Sequence, residues 1–100
     1  MVVEVSELKE HLRVQHSDED GLMLRLLTQA QQAASDYCHG ALDQYIAGEG
    51  SAPEPVRLAI LLFASHFYEN RDASDGPAYN NMMRAFHTLL YPYRDLDKMF

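Results

Sequence analysis

A long apolar run with a proline in front of it constrains this chain more than any other feature. Between residues 56 and 68 only three side chains are polar, and Pro55 stands directly before the run. Because proline suits the first turn of a helix, the run predicts a helix from Pro55 to about Asp72. A helix that is apolar on nearly all sides must be covered on nearly all sides. The run therefore predicts a helix packed between its neighbours or partly covered by another subunit.

Two helices are predicted before this run. Ser6 is a suitable N-cap for a short helix at residues 7–14. Ser17 can cap a second, longer helix at residues 18–39, whose first turn carries three carboxylates where the helix dipole favours negative charge. Gly40 is placed to end that helix in the left-handed conformation that glycine adopts readily.

One further helix is predicted after the run. Residues 41–55 contain two glycines and two prolines, so they are expected to form an irregular connection. The segment Ala-Ser-Asp-Gly-Pro at residues 73–77 is a second break, and a fourth helix at residues 78–91 would end at Pro92. The expected fold is all-α. It is a small bundle of a short N-terminal helix and three longer helices, in a single domain over residues 1–100.

Apolar positions at helical spacing define the predicted core. They are Leu22, Leu26, Ala30 and Tyr37 in the second helix, Val56, Ile60, Phe63 and Phe67 in the third, and Phe86 and Leu90 in the fourth.

The charge and apolar content exclude two classes of function. The net charge is −7, and the eight basic residues are spread along the chain, so sequence-specific DNA binding is not expected. The longest apolar run, residues 58–64, is far shorter than the ~20 residues that span a bilayer. The N-terminus has no basic region followed by an apolar stretch, so no signal peptide is predicted. These patterns favour a cytosolic protein without a membrane partner.

The side chains that could catalyse a reaction or bind a metal do not form a recognised catalytic or metal-binding motif. Cys38 is the only cysteine, and it is better interpreted as a small buried hydrophobe than as a nucleophile or ligand. His66 and Glu69 are three residues apart, but a di-metal bundle needs such a pair on two helices together with further inward glutamates. No catalytic, metal-binding or cofactor-binding residue is predicted, and an enzyme is not expected.

Four short motifs follow one another along the chain and together span nearly all of it. They are the opening Lys9, Leu12 and Arg13, the helix start at Ser17, Asp18 and Asp20, the end of the apolar helix at Tyr68, Glu69, Asn70 and Arg71, and the closing Tyr93 and Arg94. Each motif is weak alone, but their succession resembles that of the tailed-phage head–tail connector (adaptor) family, which forms rings at the phage neck.

The resemblance implies a structural protein of the virion neck, made in the cytoplasm of a bacterial host. It implies a closed ring of identical subunits between the portal protein and a tail-side neck or stopper protein, without catalysis or a cofactor. The ring would line part of the DNA channel, with DNA only as passing cargo. An acidic ring would not grip DNA, and we expect some of the excess carboxylates to face the bore.

Two other interpretations stay open at this point. The first is a small helical adaptor or regulator of phage or prophage origin that binds one protein partner without forming a ring. The second, less favoured, is a small metal-dependent enzyme. Electron microscopy of the purified protein, alone and with a portal, separates the first from the connector, and elemental analysis tests the second.

The residues at the end of the apolar helix have two possible roles. The first is simple helix termination, in which Tyr68 packs, Asn70 disfavours continuation and Arg71 interacts with the last carbonyls. The resemblance favours a mixed role, with Tyr68 in the core and with Glu69 and Arg71 fixing the helix end against a loop or the next subunit. Together with Tyr93 and Arg94, these residues form the predicted subunit interface.

Overall fold

The helices follow the predicted order, and the all-α prediction is confirmed. The computed structural model describes residues 2–46, 48, 51–70 and 75–94. The α-helices in these ranges are α1 (Val5–Leu12), α2 (Asp20–Tyr37), α3 (Asp43–Ile46), α4 (Glu54–Glu69) and α5 (Gly76–Leu90), and a 3₁₀ turn (Tyr91–Tyr93) follows α5. None of the helices in these ranges is both long and apolar enough to cross a membrane.

The apolar helix α4 lies at the centre of the bundle. It packs most extensively against α5 and α2, and it also contacts α1. Its buried positions include Val56, Ile60 and Phe63, and the small side chains of Ala59 and Ala64 are also fully covered. A helix with so little polar surface is stable here because α5, α2 and α1 together exclude water from most of its apolar side chains.

The core face of α2 differs from the prediction. Leu22 and Leu26 are only partly buried, although Leu26 packs against the core, whereas Met23, Leu27 and Ala34 are completely buried. The packed face is therefore centred about one residue further along the chain than predicted. Residues 22–27 are apolar at every position except Arg25, so the spacing of apolar residues alone does not select one face.

The other predicted core positions divide into two groups. Six are buried, namely Ala30, Val56, Ile60, Phe63, Phe86 and Leu90. Tyr37 and Phe67 are half-buried and pack against the core. The ring centroid of Phe63 lies 4.9 Å from that of Phe67 and 5.2 Å from that of Phe86, so one aromatic cluster joins α4 to α5.

The helices begin at different residues from those predicted. Helix α1 begins at Val5 with Glu4 in the N-cap position, and α2 begins at Asp20 with Glu19 in that position, so neither Ser6 nor Ser17 is the cap. Neither observed cap residue accepts a side-chain capping hydrogen bond. Contacts from other parts of the chain hold these helix starts instead, as described below.

Left-handed backbone conformations follow the ends of α1 and α2. Arg13 ends α1 with a φ of 60°, and after α2 His39 and Gly40 have φ values of 57° and 80°. The left-handed Gly40 agrees with its predicted role in ending the second helix. The connection predicted as irregular contains the short helix α3, and α5 begins two residues earlier than predicted. The predicted end of the apolar helix at Asp72 lies outside the described residues.

Candidate functional site

Three of the predicted motif residues meet where α1 approaches the start of α2. The Lys9 ammonium nitrogen lies 3.1 Å from Oδ1 of Asp20. It also donates a hydrogen bond of 3.4 Å to the hydroxyl oxygen of Ser17. The lysine side chain is 19% exposed and the aspartate side chain 45%. Lys9 thus holds the segment between the two helices, and Asp18 lies in the same segment with its side chain in solvent.

Tyr68, near the C-terminal end of α4, also contacts the start of α2. Its hydroxyl group donates a 2.7 Å hydrogen bond to Oε1 of Glu19, so the end of α4 is joined to the residue that precedes α2. Both side chains are half-buried. Sequence reasoning predicted Tyr68 as a core residue but did not single out Glu19. The signal was present, because a buried tyrosine hydroxyl needs an acceptor and the acidic run supplies several.

Asn70 terminates α4 through its own backbone and side chain. Its amide nitrogen lies 2.8 Å from the carbonyl oxygen of His66, and its side-chain nitrogen donates a 3.1 Å hydrogen bond to the same oxygen. Helix termination therefore accounts for Asn70. Glu69 is exposed, and its predicted contact with another subunit stays a prediction. Arg71 lies outside the described residues.

Arg94 clamps the far end of α2. Its Nε donates a 3.0 Å hydrogen bond to the carbonyl oxygen of Tyr37, the last residue of that helix. The guanidinium carbon lies 4.4 Å from the centroid of the Tyr37 ring. A cation at this position also complements the negative end of the helix dipole. The residue predicted from the closing motif therefore makes an internal contact, and its neighbour Tyr93 packs half-buried against the core.

Two histidines complete this clamp. The Nη2 atom of Arg94 lies 3.0 Å from Nε2 of His39, and because a guanidinium can only donate, the imidazole nitrogen is the acceptor in this contact. His87 stacks on the Tyr37 ring, with centroids 4.3 Å apart. Burial, and then the charge of Arg94, hold the pKa of His87 below its ordinary value. The clamp thus favours the neutral form of His87 beside the cation of Arg94.

A third set of contacts fixes the N-terminal segment. Arg57, in the first turns of α4, donates a 3.1 Å hydrogen bond to the carbonyl oxygen of Val2 and pairs with the carboxylate of Glu7. The amide of Val2 donates a 2.6 Å hydrogen bond to Oε1 of the buried Gln31 on α2. Sequence reasoning missed Arg57, although a lone cation in the apolar run was a usable signal for an acidic partner.

These polar clusters provide no reactive centre. Cys38 is fully buried with its sulfur 3.8 Å from the carbonyl oxygen of Leu90, and burial raises the pKa of its thiol, so it acts as a packing group. Within the described part of the chain, no three histidine, cysteine, aspartate or glutamate side chains come together in a way that could hold a metal ion. The arrangement joins helix ends to one another.

The fold and these contacts define a class of protein, a small helical bundle whose polar residues join helix ends within its own chain. The chain belongs to the family of phage gp6-like head-tail connector proteins, whose sequence model matches residues 2–94. The predicted family is therefore confirmed. Among curated proteins and solved structures, no significant match to this chain was found.

Membership of this family assigns the chain a structural role at the phage neck. The family consists of structural phage proteins and is not known for enzymatic activity. It implies contact with other head and tail proteins and a location at the virion neck.

Proposed function

We propose that the chain forms a closed ring of identical subunits at the phage neck. The ring would join the portal protein to a tail-side neck or stopper protein and line part of the channel through which DNA passes. The observation that carries this proposal is the family match over residues 2–94, which covers nearly the whole chain. A short chain with this family's fold and no reactive centre in its described residues is suited to repeated assembly.

The use of the basic side chains supports the channel part of the proposal. A protein that grips DNA needs lysines and arginines free to neutralise phosphates. Here Lys9 pairs with Asp20, Arg57 pairs with Glu7, and Arg94 binds the end of α2. Arg13, Arg25 and Arg84 are exposed, but the acidic side chains outnumber the basic ones by 15 to 8, so carboxylates dominate the charge of the chain. Such a charge balance lets DNA pass without holding it.

Under this proposal the predicted interface residues have two different roles. Tyr68 and Arg94 bind other parts of their own subunit, so their direct effect is on the shape of the subunit. Glu69 and Asn70 are exposed at the end of α4, and we retain Glu69 as a candidate contact with the next subunit. The side chain of Arg71, outside the described residues, stays with Glu69 in that prediction.

Electron microscopy of the purified protein, alone and mixed with a portal protein, tests the proposal. Rings with a central hole in either sample are the expected result. A strict monomer that does not bind the portal would contradict the ring and favour the single-partner adaptor. A reconstruction of such rings would identify the acids that face the bore. Reversing the charge of these acids is expected to impair DNA packaging or release. Unchanged packaging and release would contradict the role of these acids.

A further inference from the structure

Two exposed leucines lie on separate surfaces of the subunit. Among the described residues, the large apolar side chains that remain exposed are Leu24 (46%), Leu58 (42%) and Tyr91 (59%). Each leucine lines a shallow groove. We call them the α4 groove, formed by Leu58, Leu61 and Leu89 with Glu54 and Arg57 at its rim, and the α2 groove, formed by Leu24, Thr28, Ala33 and Phe63 with Arg25 and Asp36 at its rim. They enclose about 350 Å³ and about 640 Å³ respectively.

The two grooves lie on opposite sides of the central helix. Successive residues of an α-helix are rotated by about 100°. Phe63 therefore points about 140° away from Leu58, about 160° away from Leu61 and about 180° away from Glu54 around the axis of α4. Since Phe63 lines the α2 groove and the other three line the α4 groove, one subunit presents two different apolar surfaces on its two sides.

Each rim carries charges of both signs, but Arg57 and Asp36 already bind within their own chain, Arg57 to Glu7 and Asp36 to the side-chain amide of Gln32. The side chain of Glu54 is 90% exposed and lies 3.6 Å from Arg57, whose guanidinium pairs more closely with Glu7. Glu54 is thus a weakly engaged acid beside Leu58. Arg25 is an exposed base beside Leu24, and within the described residues it forms no ion pair. The α4 groove therefore presents an exposed acid beside an exposed leucine. The α2 groove presents an exposed base beside an exposed leucine.

We propose that the α4 groove of one copy packs against the α2 groove of the next, with Leu58 covering Leu24 and with Glu54 pairing with Arg25. This inference rests on the proposed ring. A ring needs two different, mutually complementary surfaces on each copy, whereas a two-fold dimer needs one surface that complements itself. The occupant is a second copy because the weakly engaged acid Glu54 and the exposed base Arg25, each beside an exposed leucine, are present on the two sides of the same chain.

Reversing the rim charges tests the pairing. Arg25→Glu and Glu54→Arg are each expected to raise the protein concentration needed for half-maximal ring assembly about tenfold, because each places like charges together. The double variant, with the charges exchanged, is expected to return to within about threefold of the wild type. Arg84→Glu and Glu10→Lys are matched controls, since both residues are exposed and neither lines a groove. Failure of the double variant to recover would overturn the pairing.

Cross-linking tests the polarity of the contact. Leu24→Cys and Leu58→Cys protein are mixed, assembled and treated with a short bismaleimide, while the native Cys38 is fully buried. The expected product is a dimer linked between residues 24 and 58, and a chain carrying both cysteines is expected to give a ladder of higher species. Unchanged unfolding midpoints of both variants would show that the fold is intact.

The outcomes separate this inference from the ring itself. If the wild type forms rings but the cysteine variants give no 24–58 link, or link only between like positions, the inference is wrong and the proposed ring is unaffected. If the portal protein shields these cysteines from a maleimide while copies do not link, the grooves bind the portal, and the inference is wrong. Absence of wild-type rings, both alone and with the portal, would overturn the ring and the inference together.

Discussion

The two ends of α2 are held by different kinds of interaction. At its start, side chains meet side chains, since Lys9 pairs with Asp20 and Tyr68 binds the carboxylate of Glu19. At its end, Arg94 binds the helix backbone directly through the carbonyl of Tyr37 and also stacks on that residue's ring. The contacts at the start join α1 and α4 to α2 through flexible side chains only. The contacts at the end fix α2 through a single side chain.

This difference indicates where stability is concentrated. A partly exposed ion pair contributes little because water and salt screen it and because ordering two long side chains costs entropy. A hydrogen bond from a charged group to a partly buried carbonyl contributes more, and the aromatic ring adds a cation–π interaction. We therefore expect the clamp at the end of α2 to stabilise the subunit more strongly than the contacts at its start.

The largest effect is expected from Arg94→Ala. Loss of the charge-assisted hydrogen bond and of the stacking on Tyr37 should lower the free energy of unfolding by roughly 2 to 3 kcal/mol. Arg94→Lys should recover less than half of this loss, because an ammonium group cannot reproduce the planar contact. Urea unfolding followed by circular dichroism measures both values.

Arg84→Ala serves as the control for this prediction, since Arg84 is an exposed arginine on α5. It is expected to change the free energy of unfolding by less than about 0.5 kcal/mol. If Arg94→Ala were as mild as Arg84→Ala, the clamp would not stabilise the end of α2.

A smaller effect is expected from Tyr68→Phe at the start of α2. The change removes the hydroxyl group that binds Glu19 and keeps the ring in place. A hydrogen bond to a charged acceptor in a half-buried position should contribute about 1.5 kcal/mol to the free energy of unfolding. Tyr79→Phe is the matched control, because the ring of Tyr79 packs near His66 and Phe67 while its hydroxyl makes no hydrogen bond within the described residues. Equal losses in the two variants would show that the bond to Glu19 contributes nothing.

The pH dependence of stability tests the histidine at the end of α2. Burial and Arg94 hold the pKa of His87 below its ordinary value of 6.5, so the unfolded chain binds this proton more readily than the folded one. Stability should therefore fall as the pH is lowered from about 7 through 6.5 toward the lower folded-state pKa. His87→Gln should reduce the difference in unfolding free energy between pH 7.5 and pH 5. Asn81→Gln, at an exposed position on α5 without a titratable group, should leave the difference unchanged. A full wild-type difference in His87→Gln would contradict the assignment.

The order of the helices could be predicted because local residues determine it. Pro55 in the first turn of α4, Gly40 after the end of α2 and Pro77 in the first turn of α5 mark helix boundaries for reasons that depend only on backbone chemistry. The covering of α4 could also be predicted, since a helix with so few polar residues has no stable exposed position. The family motifs added the functional class, which neither composition nor spacing supplies.

The face of α2 and the partners of the motif residues could not be predicted in the same way. Residues 22–27 offer apolar side chains on several sides, and only packing against α4 selects Met23 and Leu27. Arg94 and Tyr37 are 57 residues apart in sequence, so their contact depends on the way α5 lies against the bundle. The start of α1 was missed for a related reason. Long-range contacts of Val2 with Gln31 and Arg57 position the segment before it, and no local cap does so.

The smallest effect is expected from Lys9→Met, which keeps an apolar stem and removes the charge that pairs with Asp20. Because the aspartate side chain is 45% exposed, the loss should be about 0.5 kcal/mol at low salt and should shrink further in 1 M sodium chloride. Unfolding of wild type and variant at both salt concentrations measures this. The loss caused by Arg94→Ala should change little with salt, because its main partner is a backbone carbonyl and an aromatic ring. If Lys9→Met were the more damaging change, the contrast between the two ends of α2 would be reversed, and the ion pair would be the stronger support of the subunit.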